Sequence, residues 1–114
     1  MSWVACRLAA LCLLTGLVNI ALAAELPVFS LVFKEGGTFE PTRIEVPAGR
    51  FKLVLANESK APVEFESLQL RKEKVLGPGV TSFVVLSISR PGEYPFFDDF
   101  HQDARGVLVV MPKP

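Results

Sequence analysis

The stretch GEYPFFDDFHQDARGVLVV, Gly92–Val110, carries most of what the sequence says about fold. Pro91-Gly92 is a turn signal. Glu93–Phe97 is rich in aromatics, which favour strands. Gly106–Met111 is a run of β-branched and apolar residues that reads as a closing strand. Two strands joined by a polar segment, with no helical period in either, point to a β-hairpin. The connecting segment holds Asp98, Asp99 and His101, and His101 is the one histidine of the chain. A histidine beside carboxylates on a strand-to-strand loop is a donor set suited to a metal ion.

Working outward, the same pattern recurs. Leu26–Lys34, Arg43–Val46, Phe51–Ala56, Val63–Leu70 and Thr81–Ile88 are short apolar or alternating runs. Glu35-Gly36-Gly37, Pro47-Ala48-Gly49, Asn57–Pro62 and Gly77-Pro78-Gly79 punctuate them as turns or loops. In Phe51–Ala56, Phe51, Leu53 and Leu55 fall on one side of the pleat. The expectation is an all-β chain of seven to eight strands, in a two-sheet, Greek-key sandwich or barrel. No internal repeat, low-complexity tract or linker interrupts it.

The first residues read differently. Arg7 precedes Leu8–Ala23, an almost wholly apolar run that ends in Ala21-Leu22-Ala23, a small-x-small cleavage site. Residues 1–23 are read as a cleavable secretory signal and residues 24–114 as one exported domain. The other reading is a membrane anchor, but the run falls short of the ~20 apolar residues a spanning helix needs. Export with cleavage places the domain in the periplasm, with no membrane insertion afterwards. Both cysteines, Cys6 and Cys12, lie in the signal, so the remainder has no thiolate nucleophile or thiolate ligand. Without disulfides, a domain of this size depends on its core, helped by any metal it binds. The formal net charge of the whole chain is zero. Losing Arg7 leaves it slightly acidic, with no basic patch for nucleic acid.

Val63–Leu70, VEFESLQL, is the second segment with chemistry in it. Alternation puts Glu64, Glu66, Leu68 and Leu70 on one face and Val63, Phe65, Ser67 and Gln69 on the other. The two leucines favour the first face as the inner one, which would set Glu64 and Glu66 inside, near the mouth of the barrel. A buried carboxylate is costly unless it is paired or binds a cation. The alternative is a register that leaves both glutamates in water. For Phe97–Gln102 there are also two readings. A loop can fold Asp98 and His101, three positions apart, onto one ion, or the aspartates can cap loop amides as Asx-turns. Tyr94 and Phe96 are expected in the core, and Phe97 and Phe100 flank the candidate ligands. Glu73 is either a partner supporting the metal ligands or an ordinary edge-strand charge, and the charge is the favoured reading.

Taken together, Phe39, Pro41, Ile44 and Val46–Gly49 (FxP…IxVPAG), Leu53–Ser59 (LVLANES), Glu64–Ser67 (EFES), Glu73–Gly79 (EKVLGPG), Pro91–His101 (PGEYPFFDDFH) and Gly106–Val110 (GVLVV) resemble the cupredoxins. They are most similar to EfeO-type cupredoxin-like domains, small periplasmic proteins associated with bacterial iron-uptake permeases. The resemblance implies a Greek-key sandwich with a metal site where its loops meet. It sets Asp98 at the position of the blue-copper cysteine ligand and His101 at that of the following histidine. Gln102–Arg105 holds no methionine, and the earlier histidine position falls near Val63-Glu64, with Glu64 or Glu66 the nearest usable ligand. A blue-copper centre needs a soft thiolate beside imidazoles, so copper electron transfer is the least favoured reading. What the resemblance leaves is a metal site of Glu64, Glu66, Asp98, Asp99 and His101, holding an iron or copper ion. It implies either a possible ferroxidase-type oxidation of Fe(II), or transfer of metal to a partner, with a periplasmic iron-binding protein and a ferric permease as partners. A metal-free β-sandwich module that docks on a permease is the alternative.

Overall fold

The structure, a computed structural model, describes residues 25–114. The signal assignment for residues 1–23 therefore lies outside the described residues. Nine strands follow in order: β1 Val28–Lys34, β2 Thr38–Glu40, β3 Arg43–Pro47, β4 Gly49–Asn57, β5 Val63–Ser67, β6 Lys72–Leu76, β7 Thr81–Ile88, β8 Gly92–Asp98 and β9 His101–Met111. One sheet has the order β2-β1-β4-β7 and the other β3-β9-β8-β5-β6. β1–β4 and β3–β9 are parallel pairs, and the remaining neighbours are antiparallel. The expected all-β, two-sheet Greek-key sandwich is what forms, with nine strands in place of seven or eight. β2 and β6 are the strands the pattern did not separate. Both are short, and in both the charged or polar positions hide the alternation.

Alternation builds the core. From one sheet come Leu31 and Phe33 of β1, Phe51, Leu53 and Leu55 of β4, and Leu86 and Ile88 of β7. From the other come Ile44, Val46, Val63, Phe65, Leu76, Phe96, Leu108 and Val110. Phe51, Leu53 and Leu55 are 0% exposed, as the pleat reading required. A chain of rings crosses between the sheets. Phe33 and Phe39 have centroids 5.6 Å apart, Phe39 and Phe96 5.3 Å, and Phe96 and Phe65 5.4 Å. Gly106 is where this aromatic chain needs a bare backbone: a Cβ there would meet the Phe96 ring at 2.5 Å.

The aromatic chain ends beneath β5, and this overturns the facing expected for that strand. Val63, Phe65 and Ser67 point inward and are at most 2% exposed. Glu64 and Glu66 lie on the opposite face of the five-stranded sheet. The leucines misled because β5 ends at Ser67. Leu68 belongs to the turn, which closes with Arg71 N–H donating to the Leu68 carbonyl at 3.2 Å, and is 70% exposed. Each buried Val or Phe contributes about 1.5–3 kcal/mol. The opposite facing would forfeit that and set both carboxylates among the core side chains.

Candidate metal centre

Asn57 ties the second sheet's β5–β6 hairpin to the end of β4. It is 1% exposed. Its Nδ2 donates to the carbonyls of Ala61 (2.8 Å), Leu76 (3.2 Å) and Gly77 (2.9 Å), and its Oδ1 accepts from Ser59 N (2.9 Å) and Oγ (2.7 Å). It thereby fixes both the chain entering β5 and the chain leaving β6. The sequence reading placed Asn57 in a polar loop. Its position as the last residue of an alternating run, followed two residues on by Ser59, was the available signal for a capping side chain.

The β8–β9 connection is tighter than expected. Asp98 ends β8, His101 opens β9, and these two residues pair with each other. His101 is therefore the first residue of a strand, not part of a loop, and Gln102–Arg105 are strand residues. Phe97 pairs with Arg105 while Asp98 pairs with His101, so Gln102–Ala104 bulge out between them. Bulges re-aim side chains, and this one turns the imidazole back over Gly37. A Cβ at Gly37, which has φ of 75°, would meet His101 Cδ2 at 2.7 Å.

Asp98 is 1% exposed and its carboxylate is committed to the backbone. Oδ1 accepts from Glu64 N at 2.9 Å and Phe100 N at 3.0 Å, and Oδ2 lies 2.9 Å from His101 Nδ1. The hairpin tip is thus locked onto β5, and the imidazole is oriented with Nε2 as its remaining ring nitrogen. A carboxylate on the far nitrogen is the usual support for a metal-binding histidine.

The other three candidate residues meet elsewhere. Glu64, Glu66 and Asp99 each bring a carboxylate oxygen to within 4.8 Å of the others. Asp99 is fixed from both sides: its N–H donates to the Glu64 carbonyl at 2.9 Å, and its Oδ1 accepts from Gln102 Nε2 at 3.2 Å. Glu73 on β6, paired with Glu66 across the ladder, adds a further carboxyl. Burial raises the Glu64 pKa above the usual carboxylate range, helped by a side-chain hydrogen bond with Glu73 and the charges of Asp99, Glu73 and Glu66. Glu66 shifts the same way, through desolvation and then Asp99 and Glu73. Glu64 is only 8% exposed, and its side-chain hydrogen-bond neighbour is another acid.

The five sequence candidates therefore divide into a carboxylate trio on the sheet face and the Asp98–His101 pair at the hairpin tip. Glu73, set aside as an edge charge, faces the trio. Phe96 is buried and Tyr94 packs against the core, as expected, whereas Phe100 is 49% exposed.

This is a Greek-key sandwich with acidic donors at the end of one sheet, and its class is that of the cupredoxins. The chain belongs to the Cupredoxin-like domain family, whose profile matches residues 7–110. That match begins inside the stretch read as a signal. An uncharacterized protein of Rickettsia prowazekii is 38% identical over 74 residues, which make up 63% of this chain and 59% of that protein. The chain thus matches a little over half the length of that relative. Among solved structures, auracyanin from Roseiflexus castenholzii superposes with a TM-score of 0.63 at 17% identity, covering 78% of this chain and 100% of that one. A purple cupredoxin from Nitrosopumilus maritimus gives 0.58 at 16%, covering 73% and 99%. A copper-containing nitrite reductase from Thermus scotoductus gives 0.59 at 21%, covering 81% of this chain and 24% of the enzyme. At these identities the likeness is one of fold.

A thiolate-type copper centre does not fit the donors present. Residues 25–114 contain no cysteine and one histidine. The residue that the resemblance aligns with the ligand cysteine is Asp98, whose oxygens are occupied by two backbone N–H groups and the imidazole. The available donors are hard oxygens, with a single imidazole apart from them.

Proposed function

We propose that this chain is a periplasmic, cation-handling cupredoxin-like protein of the EfeO type, and that its cargo is iron. The carboxylates of Glu64, Glu66 and Asp99 hold the ion, with Glu73 beside them. The observation that carries this reading is the cluster itself: Glu64, a residue only 8% exposed, brings a carboxylate oxygen within 4.8 Å of those of Glu66 and Asp99. Crowding carboxylates in this way is unfavourable without a counter-charge, and a cation supplies one. Several carboxylates attract Fe(III) more than Fe(II), so the site favours the oxidised ion. This agrees with a role beside a periplasmic iron-binding protein and a ferric permease.

The test is calorimetric titration of the purified protein with Fe(II) under anaerobic conditions. Glu64→Gln and Asp99→Asn are each expected to weaken binding at least tenfold, and His101→Ala to leave it within threefold. Unchanged affinity in both acid variants would sink the proposal. A second reading rests on the Asp98–His101 geometry, which presents Nε2 as imidazoles are presented to metals. Cu(II) bound there would be lost in His101→Ala and retained in Glu64→Gln.

A further inference from the structure

Among the described residues the two sheets have four edge strands, β2 and β7 on one and β3 and β6 on the other. Three of them are blunted. β2 has three residues. β3 carries Arg43, Glu45 and Pro47, and β6 carries Lys72, Glu73 and Lys74. Short length, charge and proline are the usual means of stopping one sheet edge from pairing with another. β7 has none of them. It is eight residues long, TSFVVLSI, with neither a charge nor a proline, and among the described residues it pairs only with β4. Phe83, at its outer surface, is 48% exposed.

Hydrogen bonds along β4 show which backbone groups of β7 are free. Lys52 N–H donates to the Pro27 carbonyl and Glu58 N–H to that of Phe33, so even-numbered residues here turn their backbone groups toward β1. Odd-numbered ones turn toward β7, as Asn57 N–H does in donating to the Val80 carbonyl. In that ladder Phe51, Leu53 and Leu55 stand opposite Leu86, Val84 and Ser82. Hydrogen-bonded positions alternate along an antiparallel strand, so Thr81, Phe83, Val85 and Ser87 send their N–H and C=O groups away from β4, to the open edge. We infer that two copies of the chain pair through this edge as an antiparallel, two-fold dimer centred on Val84. That register gives every outward backbone group of β7 a partner. It sets Phe83 of one copy against Val85 of the other, and Thr81 against Ser87. An aromatic against a β-branched residue and Thr against Ser are both favourable cross-strand pairs, and no charge meets a like charge. An edge paired with its own copy closes the assembly at two chains, and the blunted edges leave no second strand to extend it into a filament.

Sedimentation of the purified protein from micromolar to millimolar concentration measures the dimer, and amide hydrogen exchange locates it. The Phe83 and Val85 amides are expected to gain at least tenfold protection as the dimer fills, whereas the Leu86 amide, bonded to β4, is protected at every concentration. Two variants block the edge by different means. Val85→Pro deletes an outward N–H and leaves the β4 ladder intact, the setting in which strands accept proline. Phe83→Lys keeps the backbone and adds the kind of charge the other edges carry, beside Lys52, whose Nζ lies 4.2 Å from the centre of this ring. Each is expected to weaken dimerisation at least tenfold. Mn(II) affinity should be unchanged in both, because the carboxylate cluster belongs to the other sheet. A protein that stays monomeric throughout overturns the inference. So does a dimer whose Phe83 and Val85 amides exchange as fast as in the monomer, since it then forms through another surface. A dimer of undiminished affinity in Phe83→Lys overturns it as well. Should Val85→Pro fail to fold, Phe83→Lys and the exchange pattern of the unaltered protein decide the matter.

Discussion

Replacing Asp98 by alanine should be among the most damaging single changes in the domain, although Asp98 lies at a hairpin tip. The side chain is 1% exposed and accepts hydrogen bonds from Glu64 N, Phe100 N and His101 Nδ1, at 2.9, 3.0 and 2.9 Å. Alanine leaves the Glu64 N–H buried without an acceptor and the Phe100 N–H partly so. An orphaned buried donor costs about 1–3 kcal/mol, and a bond to a charged acceptor about 1.5–3 kcal/mol. Together Asp98→Ala should cost roughly 3–5 kcal/mol, against a total stability of about 5–15 kcal/mol for a domain of ordinary stability. Asp98→Asn keeps an oxygen for the two N–H groups and should cost about 1 kcal/mol. Urea unfolding of the two variants measures this as a shift in midpoint at unchanged slope. An Asp98→Ala cost below 1 kcal/mol would refute the view that this carboxylate latches the hairpin. Iron affinity gives an independent check: Asp98→Asn should stay within threefold of the parent, because the oxygens of Asp98 are already committed. A tenfold loss would return Asp98 to the ligand set.

Other changes have predicted signs. The pKa of Glu64 and of Glu66 is raised above the ordinary value of 4.5, so the folded state holds more protons than the unfolded one above that pH. In metal-free protein their contribution to stability is full below the ordinary value and is lost as pH rises through the raised values. Glu64→Gln should flatten that decline and raise the melting temperature at neutral pH without metal, and reverse in effect once the cation is added. A lower melting temperature in both conditions would contradict this. Gly106→Ala forces a methyl group to 2.5 Å from Phe96 Cζ and 2.9 Å from the Thr42 carbonyl. It should cost about 1–3 kcal/mol in chemical unfolding, the usual range for overpacking. Ser67 Oγ is buried with no hydrogen-bond partner, so Ser67→Ala should leave stability unchanged or raise it; a loss above 1 kcal/mol in the same assay would show a partner at that hydroxyl.

Much of the fold was legible because burial and alternation agree. Phe51, Leu53 and Leu55 are wholly buried, and the Pro-Gly and Gly-Pro-Gly punctuation marks real strand ends. Where they disagreed, the sequence misled. In VEFESLQL the leucines outnumber the single phenylalanine, but the strand stops at Ser67 and the aromatic chain through Phe96 fixes Phe65 inward. No local pattern reveals a tertiary ring contact. The same limit applies to the metal donors. The spacing of Asp98 and His101 suggested one ion, yet Asp98 folds back to satisfy Glu64 N, a residue 34 positions away. The neighbouring Asp99 is the aspartate that meets Glu64 and Glu66. Which of two adjacent aspartates joins Glu64 and Glu66 is fixed by the hairpin tip, where Asp98 pairs with His101 and Asp99 sits in the turn, and nothing in the residue order announces it.

The central claim, a cation held by the sheet-face carboxylates, is tested most directly by crystals soaked in Mn(II) and measured near its absorption edge. The anomalous difference map should show one peak within bonding distance of Glu64, Glu66 and Asp99, absent from Glu64→Gln/Glu66→Gln crystals. A map whose peak lies on His101 Nε2, or one with no peak at the trio at saturating Mn(II), would contradict it.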